Sequence, residues 1–88
     1  MGGSLDLHGH TLVTGRAAVI GFVHAAQRRG DGIVIIVTGK GRVGEGALKR
    51  ALPGWLDGRE VRPLISGFAQ AHRDHGGAGA YYVFLKRG

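Results

Sequence analysis

Apolar and polar positions change rhythm several times along this chain, and each rhythm predicts an element. Leu5-Asp6-Leu7-His8 alternates, as a short half-buried strand does, and Gly9 ends it. Thr11 is placed to cap a helix, because its hydroxyl can accept from amides two or three residues on. Leu12, Gly15, Val19, Phe22, Val23 and Ala26 then recur at spacings of three and four, which predicts one buried helix face. Arg28 and Arg29 suit the negative end of that helix, and Gly30 suits the residue just past it. Ile33-Val34-Ile35-Ile36-Val37 is continuous and β-branched, so it predicts a strand that is central in a sheet or covered on both faces. A glycine-rich loop from Thr38 to Gly46 precedes a second helix, which starts near Glu45 and turns Leu48, Leu52, Trp55 and Leu56 inward. Pro53 has no N–H and is expected to kink or restart that helix, and Asp57-Gly58 closes it.

Arg62-Pro63 marks a strand edge or entry, and Leu64–Phe68 reads as a third strand. Gln70–Gly79 is a polar, glycine-rich connection. Ala80–Lys86 is a fourth strand with Tyr81, Val83 and Leu85 on one face and Tyr82 and Phe84 on the other. The order β-α-β-α-β-β makes the fold class α/β: a two-layer α+β sandwich with a mixed four-stranded sheet and two helices. Right-handed crossovers predict parallel pairs, and the short last connection predicts an antiparallel hairpin. The order of strands within the sheet stays open.

Composition narrows the class. The 88 residues fit one domain, and 43% hydrophobic content argues against disorder. The 18 glycines have no triplet period and cluster between apolar runs, which makes them loop residues. Without cysteine there is no disulfide, thiolate metal site or thiol nucleophile. The longest apolar run is strand-sized and no apolar signal segment follows Met1, so a cytoplasmic location without membrane attachment is expected. Residues 1–4 are read as a leader outside the fold, and 5–88 as the domain. Twelve basic against six acidic residues give a net charge of +6, which favours a phosphate polyanion, DNA or RNA, as partner.

Three segments carry a resemblance. Leu5-Asp6-Leu7-His8-Gly9-His10-Thr11 matches a Leu-Asp-x-His-Gly-x-Thr opening. Thr38-Gly39-Lys40-Gly41, leading into Gly46-Ala47-Leu48-Lys49, is similar to a His-Gly-x-Gly loop and its following helix. Gly76-Gly77-Ala78-Gly79-Ala80, running into Tyr82-Val83-Phe84-Leu85, is similar to a Gly-x-Gly turn and final strand. Together they resemble the Smr (small MutS-related) domain family from Leu5 to about Lys86, as a stand-alone domain or a fragment of a longer protein. The resemblance implies a fold like the C-terminal domain of translation initiation factor three. It also implies a nuclease that nicks DNA, or cleaves RNA in some members, with roles in recombination, repair or ribosome rescue. By position, Asp6 and His8 are the residues that the family associates with cleavage. The chain departs from the pattern at position 38, where Thr38 stands for the family's histidine.

The same residues have their own chemistry. Phosphodiester hydrolysis needs a base, donors for the charged transition state, and help for the leaving oxygen. Histidine suits proton transfer near neutral pH, which recommends His8. Asp6 could orient His8 or bind a divalent ion, Mg or Mn. Glycines 39 and 41 let backbone amides approach a phosphate, and Lys40 and Arg42 add charge. Arg73 and His75, in His72-Arg73-Asp74-His75, are read as a solvated basic loop on a nucleic-acid backbone in preference to a metal site.

Other residues take plainer expectations. His10 is expected in the turn, facing solvent; His24 at the surface of the first helix; Trp55 in the core. One of Tyr81 and Tyr82 must face away from the helices, where it could stack on a base. Gly39 to Gly44 spells a dinucleotide fingerprint, but on the second βα turn of a chain too short for that fold. Rival readings are a DNA- or RNA-binding module without catalysis, and a binder of mononucleotides at the 39–46 loop.

Overall fold

The computed structural model describes residues 2–39, 45–71 and 79–86. Its strands are β1 (Ser4–Asp6), β2 (Ile33–Val37), β3 (Ile65–Gln70) and β4 (Ala80–Leu85), and its helices are α1 (Leu12–Arg29) and α2 (Glu45–Leu56). The expected β-α-β-α-β-β order is present. The sheet order is β1-β2-β4-β3, with β1 parallel to β2 and the other pairs antiparallel. Two helices on a four-stranded mixed sheet make the expected α+β sandwich.

Both helices cover one sheet face. Val34 and Ile36 of β2 and Val83 of β4 are fully buried against Val19 and Val23 of α1 and Leu52 and Leu56 of α2. The alternate residues Ile33, Ile35, Val37, Tyr82 and Phe84 face the other side and stay partly exposed. The β-branched run is thus central in the sheet but covered on one face only, with Ile33 38% exposed. Trp55 packs against the core, as does Tyr81, which meets Phe68 edge-on at 6.3 Å.

α1 begins and ends as its sequence predicts. Thr11 caps it, and Gly30 turns the chain out with φ 81, its N–H reaching the carbonyls of Ala26 and Gln27. Gly15 lets α1 and α2 approach closely. A Cβ there would stand 3.1 Å from Leu48 Cδ2 and 3.3 Å from Trp55 Cη2. Leu12 departs from the expected inner face and is 48% exposed, because α2 first meets α1 three residues further on, at Gly15.

Three further expectations are corrected. Pro53 does not restart α2, which runs through it as one helix from Glu45 to Leu56 with the proline in its last turn. Arg62–Leu64 forms a 3-10 turn before β3, with a bulge at Ser66, whose hydroxyl donates to the Phe84 carbonyl. The residues before Leu5 join the ladder: Ser4 pairs with Ile35, and Gly2 N–H donates to the Ile33 carbonyl at 2.7 Å. Among the described residues, no helix is long and apolar enough to cross a membrane.

Candidate functional site

The parallel pairing of β1 and β2 fixes where the motif residues lie. Asp6 is in register with Val37, and Leu7 N–H continues the ladder to the Val37 carbonyl at 2.8 Å. The turns after β1 and β2 therefore leave the sheet side by side, at the carboxyl ends where open α/β sheets gather ligands. β4 runs antiparallel to β2 and starts opposite Val37, while β3 ends at Gln70 beside Tyr81. The described flanks of the third motif, Ala71 and Gly79, so stand at the same rim. The described parts of all three sequence motifs converge there.

The turn after β1 is held by its own polar groups. Asp6 Oδ1 accepts the His8 backbone N–H at 2.8 Å, and His10 N–H closes back on the Leu7 carbonyl at 2.9 Å. Asp6 and His8 are both exposed, and Leu7 between them is fully buried, which pins the turn to the core. One oxygen of Asp6 thus braces the turn that presents His8. Thr11 and Thr14 form a reciprocal cap: Thr14 N–H donates to Thr11 Oγ1, and Thr11 N–H donates to Thr14 Oγ1. No acidic residue occupies the first turn of α1, so the positive end of its dipole is not offset there.

His10 differs from expectation. It is half-buried, and its Nδ1 lies 3.1 Å from Thr14 Oγ1. The i, i+4 spacing of an imidazole and a hydroxyl across the cap is the one sequence signal for this contact, and it was not read. His24 also has a fixed partner: its Nε2 is 2.8 Å from the Glu60 carbonyl, far from the rim in sequence and outside the site.

At the end of β2, Thr38 is fully buried. Its N–H and its Oγ1 both donate to the Gly79 carbonyl, at 2.6 and 3.1 Å. The hydroxyl that replaces the family's imidazole is therefore a clamp between two motif segments. Gly39 adopts φ 101, a conformation that suits glycine, and its N–H also points to the Gly79 carbonyl, at 3.2 Å. Gly39 brings the turn, while its amide is already engaged; a phosphate would need other donors. Lys40, Gly41, Arg42, Arg73 and His75 lie outside the described residues. Among the described residues no three His, Asp or Glu side chains gather as metal ligands.

The comparisons agree with this geometry. The Smr domain model matches residues 5–86. YdaL, a stand-alone small MutS-related protein from Escherichia coli, superposes with a TM-score of 0.84 at 29% identity. The match covers 94% of this chain and 63% of YdaL, so the chain spans less than two thirds of that protein. The Smr domain of Thermus thermophilus MutS2 superposes with a TM-score of 0.83 at 27% identity, over 97% of this chain and 99% of that domain. No curated protein matches significantly. The fold, the motif order and the match over nearly the whole length agree: the chain belongs to the Smr domain family.

Proposed function

We propose that this domain is an endonuclease that nicks DNA, or cleaves RNA, with little regard for base sequence, in the service of repair or recombination. One observation carries the reading: the turns following β1 and β2 and the flanks of the β3–β4 connection share one rim, with Asp6 in register with Val37 and Thr38 clamped to Gly79. His8 takes a proton from the attacking hydroxyl, and the Asp6 carboxylate holds the turn that carries it. Lys40, Arg42, Arg73 and His75, together with the amides of the second loop beyond Gly39, bind the phosphate backbone. The net charge of +6 supports a polyanionic partner whose binding weakens as salt rises. A Mg or Mn ion would find a single carboxylate among the described rim residues, Asp6. It would take its other ligands from water and phosphate oxygens, and would supply charge neutralisation there.

The test is nicking of supercoiled plasmid and cleavage of a structured RNA by the wild type, Asp6→Ala and His8→Ala, with and without a chelator. Loss of cleavage in both variants is expected, and full activity in both removes the assignment. A second reading, a binding module without catalysis, is favoured by Thr38, whose hydroxyl is spent on the Gly79 carbonyl. That reading predicts salt-dependent binding and no cleavage in any divalent metal.

A further inference from the structure

We infer that His10 is the general acid of the reaction, giving its proton to the leaving oxygen while His8 takes one from the nucleophile. This rests on the cleavage reading above and adds a second proton-transfer group to it. The observation behind it is the anchoring of the ring. His10 Nδ1 lies 3.1 Å from Thr14 Oγ1, and that hydroxyl is itself fixed by the Thr11 N–H at 3.0 Å and lies 3.1 Å from Thr11 Oγ1. The backbone beside the ring is tied to the Leu7 carbonyl. One nitrogen of the imidazole is thereby held from both sides of the turn, and Nε2 makes no hydrogen bond among the described residues.

The choice of anchor matters. A hydroxyl can accept from Nδ1–H both when the ring is cationic and when it is neutral with its remaining proton on Nδ1. The ring can therefore lose and regain its Nε2 proton without leaving its place. A carboxylate partner would favour the cation alone. His8 and His10 stand two residues apart in one turn, closed by the bonds from His8 N–H to Asp6 and from His10 N–H to Leu7. That puts two imidazoles at the end of β1, where one can serve the attacking oxygen and the other the leaving oxygen. His24, the other described histidine, is turned to the Glu60 carbonyl and takes no part.

The step balances. The nucleophile, a water or a ribose hydroxyl, gives its proton to His8 as its oxygen bonds to phosphorus. The bond from phosphorus to the leaving oxygen breaks with its electron pair going to that oxygen, which receives the Nε2 proton of the His10 imidazolium. The two rings then restore their protons by exchange with solvent.

A substrate whose leaving atom needs no proton tests this directly. Two oligonucleotides of one sequence are compared, one with ordinary phosphodiesters and one with a single bridging sulfur as the leaving atom. His10→Asn is expected to slow cleavage of the ordinary strand by about a hundredfold or more and to cleave the sulfur strand near the wild-type rate. His8→Ala is expected to be slow on both. Thr14→Val should show a weaker form of the His10→Asn pattern, and Thr14→Ser should recover much of the loss. Circular dichroism melts check that each variant is folded. If His10→Asn cleaves the ordinary strand like the wild type, or slows both strands equally, the inference is overturned while the cleavage reading stands. If the wild type cleaves neither strand, the cleavage reading falls and takes the inference with it.

Discussion

The two turns that flank α1 solve the same problem with different materials. At the carboxyl end of the helix, Gly30 with φ 81 reverses the chain, its N–H satisfying Ala26 and Gln27 and Asp31 N–H reaching Ala26. Backbone bonds do nearly all of it, helped by the Arg29–Asp31 pair at 2.6 Å. At the amino end, side chains do the holding: Asp6 on His8 N–H, Thr11 and Thr14 on each other's amides, and Thr14 on the ring of His10. A turn built from backbone bonds alone needs one glycine. The turn that carries His8 and anchors the His10 ring uses a polar scaffold, with Leu7 as its fully buried residue. A hollow of about 390 Å³ does exist beside the first kind of turn, lined by Gly2, Gly30, Asp31, Gly32 and Ile33. It lies at the amino end of β2, away from the motif residues, and its one charged side chain is the Asp31 carboxylate, already paired with Arg29.

This contrast can be sharpened by substitution. The largest effects are expected at the two imidazoles: His8→Ala, like His10→Asn, should slow cleavage by about a hundredfold, some 2.7 kcal/mol of barrier, with little change in Tm. Thr11→Ala removes the cap oxygen and should cost roughly 1–2 kcal/mol in denaturant unfolding, with slower cleavage because the anchor of Thr14 loosens. Gly30→Ala must hold a left-handed residue and should cost about 1 kcal/mol, but cleavage per folded molecule should not change. A cleavage defect in Gly30→Ala as large as that of Thr11→Ala would erase the distinction between the turns.

The smallest effect is expected at Glu60, outside both turns. Its own backbone N–H, and then Arg16 at 2.7 Å, hold its carboxyl below the ordinary glutamate range. Because the folded state lowers this pKa, the stabilisation is complete above the ordinary glutamate pKa and fades as pH falls through the folded value. Glu60→Gln should therefore lower Tm slightly at neutral pH, and its melt should coincide with the wild type's in acid. The pair is exposed, so high salt should shrink the difference as well.

The same contrast explains what could be read from the residues alone. Gly30, Thr11 and the period of Val19, Val23 and Ala26 are local signals, and each predicted its element correctly. The helix N-cap was visible because a hydroxyl before an apolar period has few other uses. Strand order was not, since pairing β4 between β2 and β3 depends on burying Val34, Ile36 and Val83 together, which no local pattern records. The residues before Leu5 carry glycines and no side-chain pattern, yet their backbone groups extend the ladder of β1. Of the site, the meeting of Asp6 with the end of β2 follows from the parallel pairing that right-handed crossovers predict. The engagement of the Gly39 amide by Gly79, and the anchoring of His10 and His24, were not foreseen. Each is a bond to a partner chosen by tertiary packing, and a histidine looks the same in sequence whether it faces water or a hydroxyl.

Cleavage at the β1–β2 rim requires that a nucleic acid touch the folded domain there. Backbone amide shifts, followed by NMR as a short single-stranded oligonucleotide is added at low salt, would map the contact. Changes clustered at His8, His10, Thr11, Gly39 and Gly79 and at the proposed phosphate contacts Lys40, Arg42, Arg73 and His75 are predicted, with Gly30, Asp31 and Gly32 silent. Changes at the Gly30–Gly32 turn with a silent His8 and His10 would contradict a site at this rim.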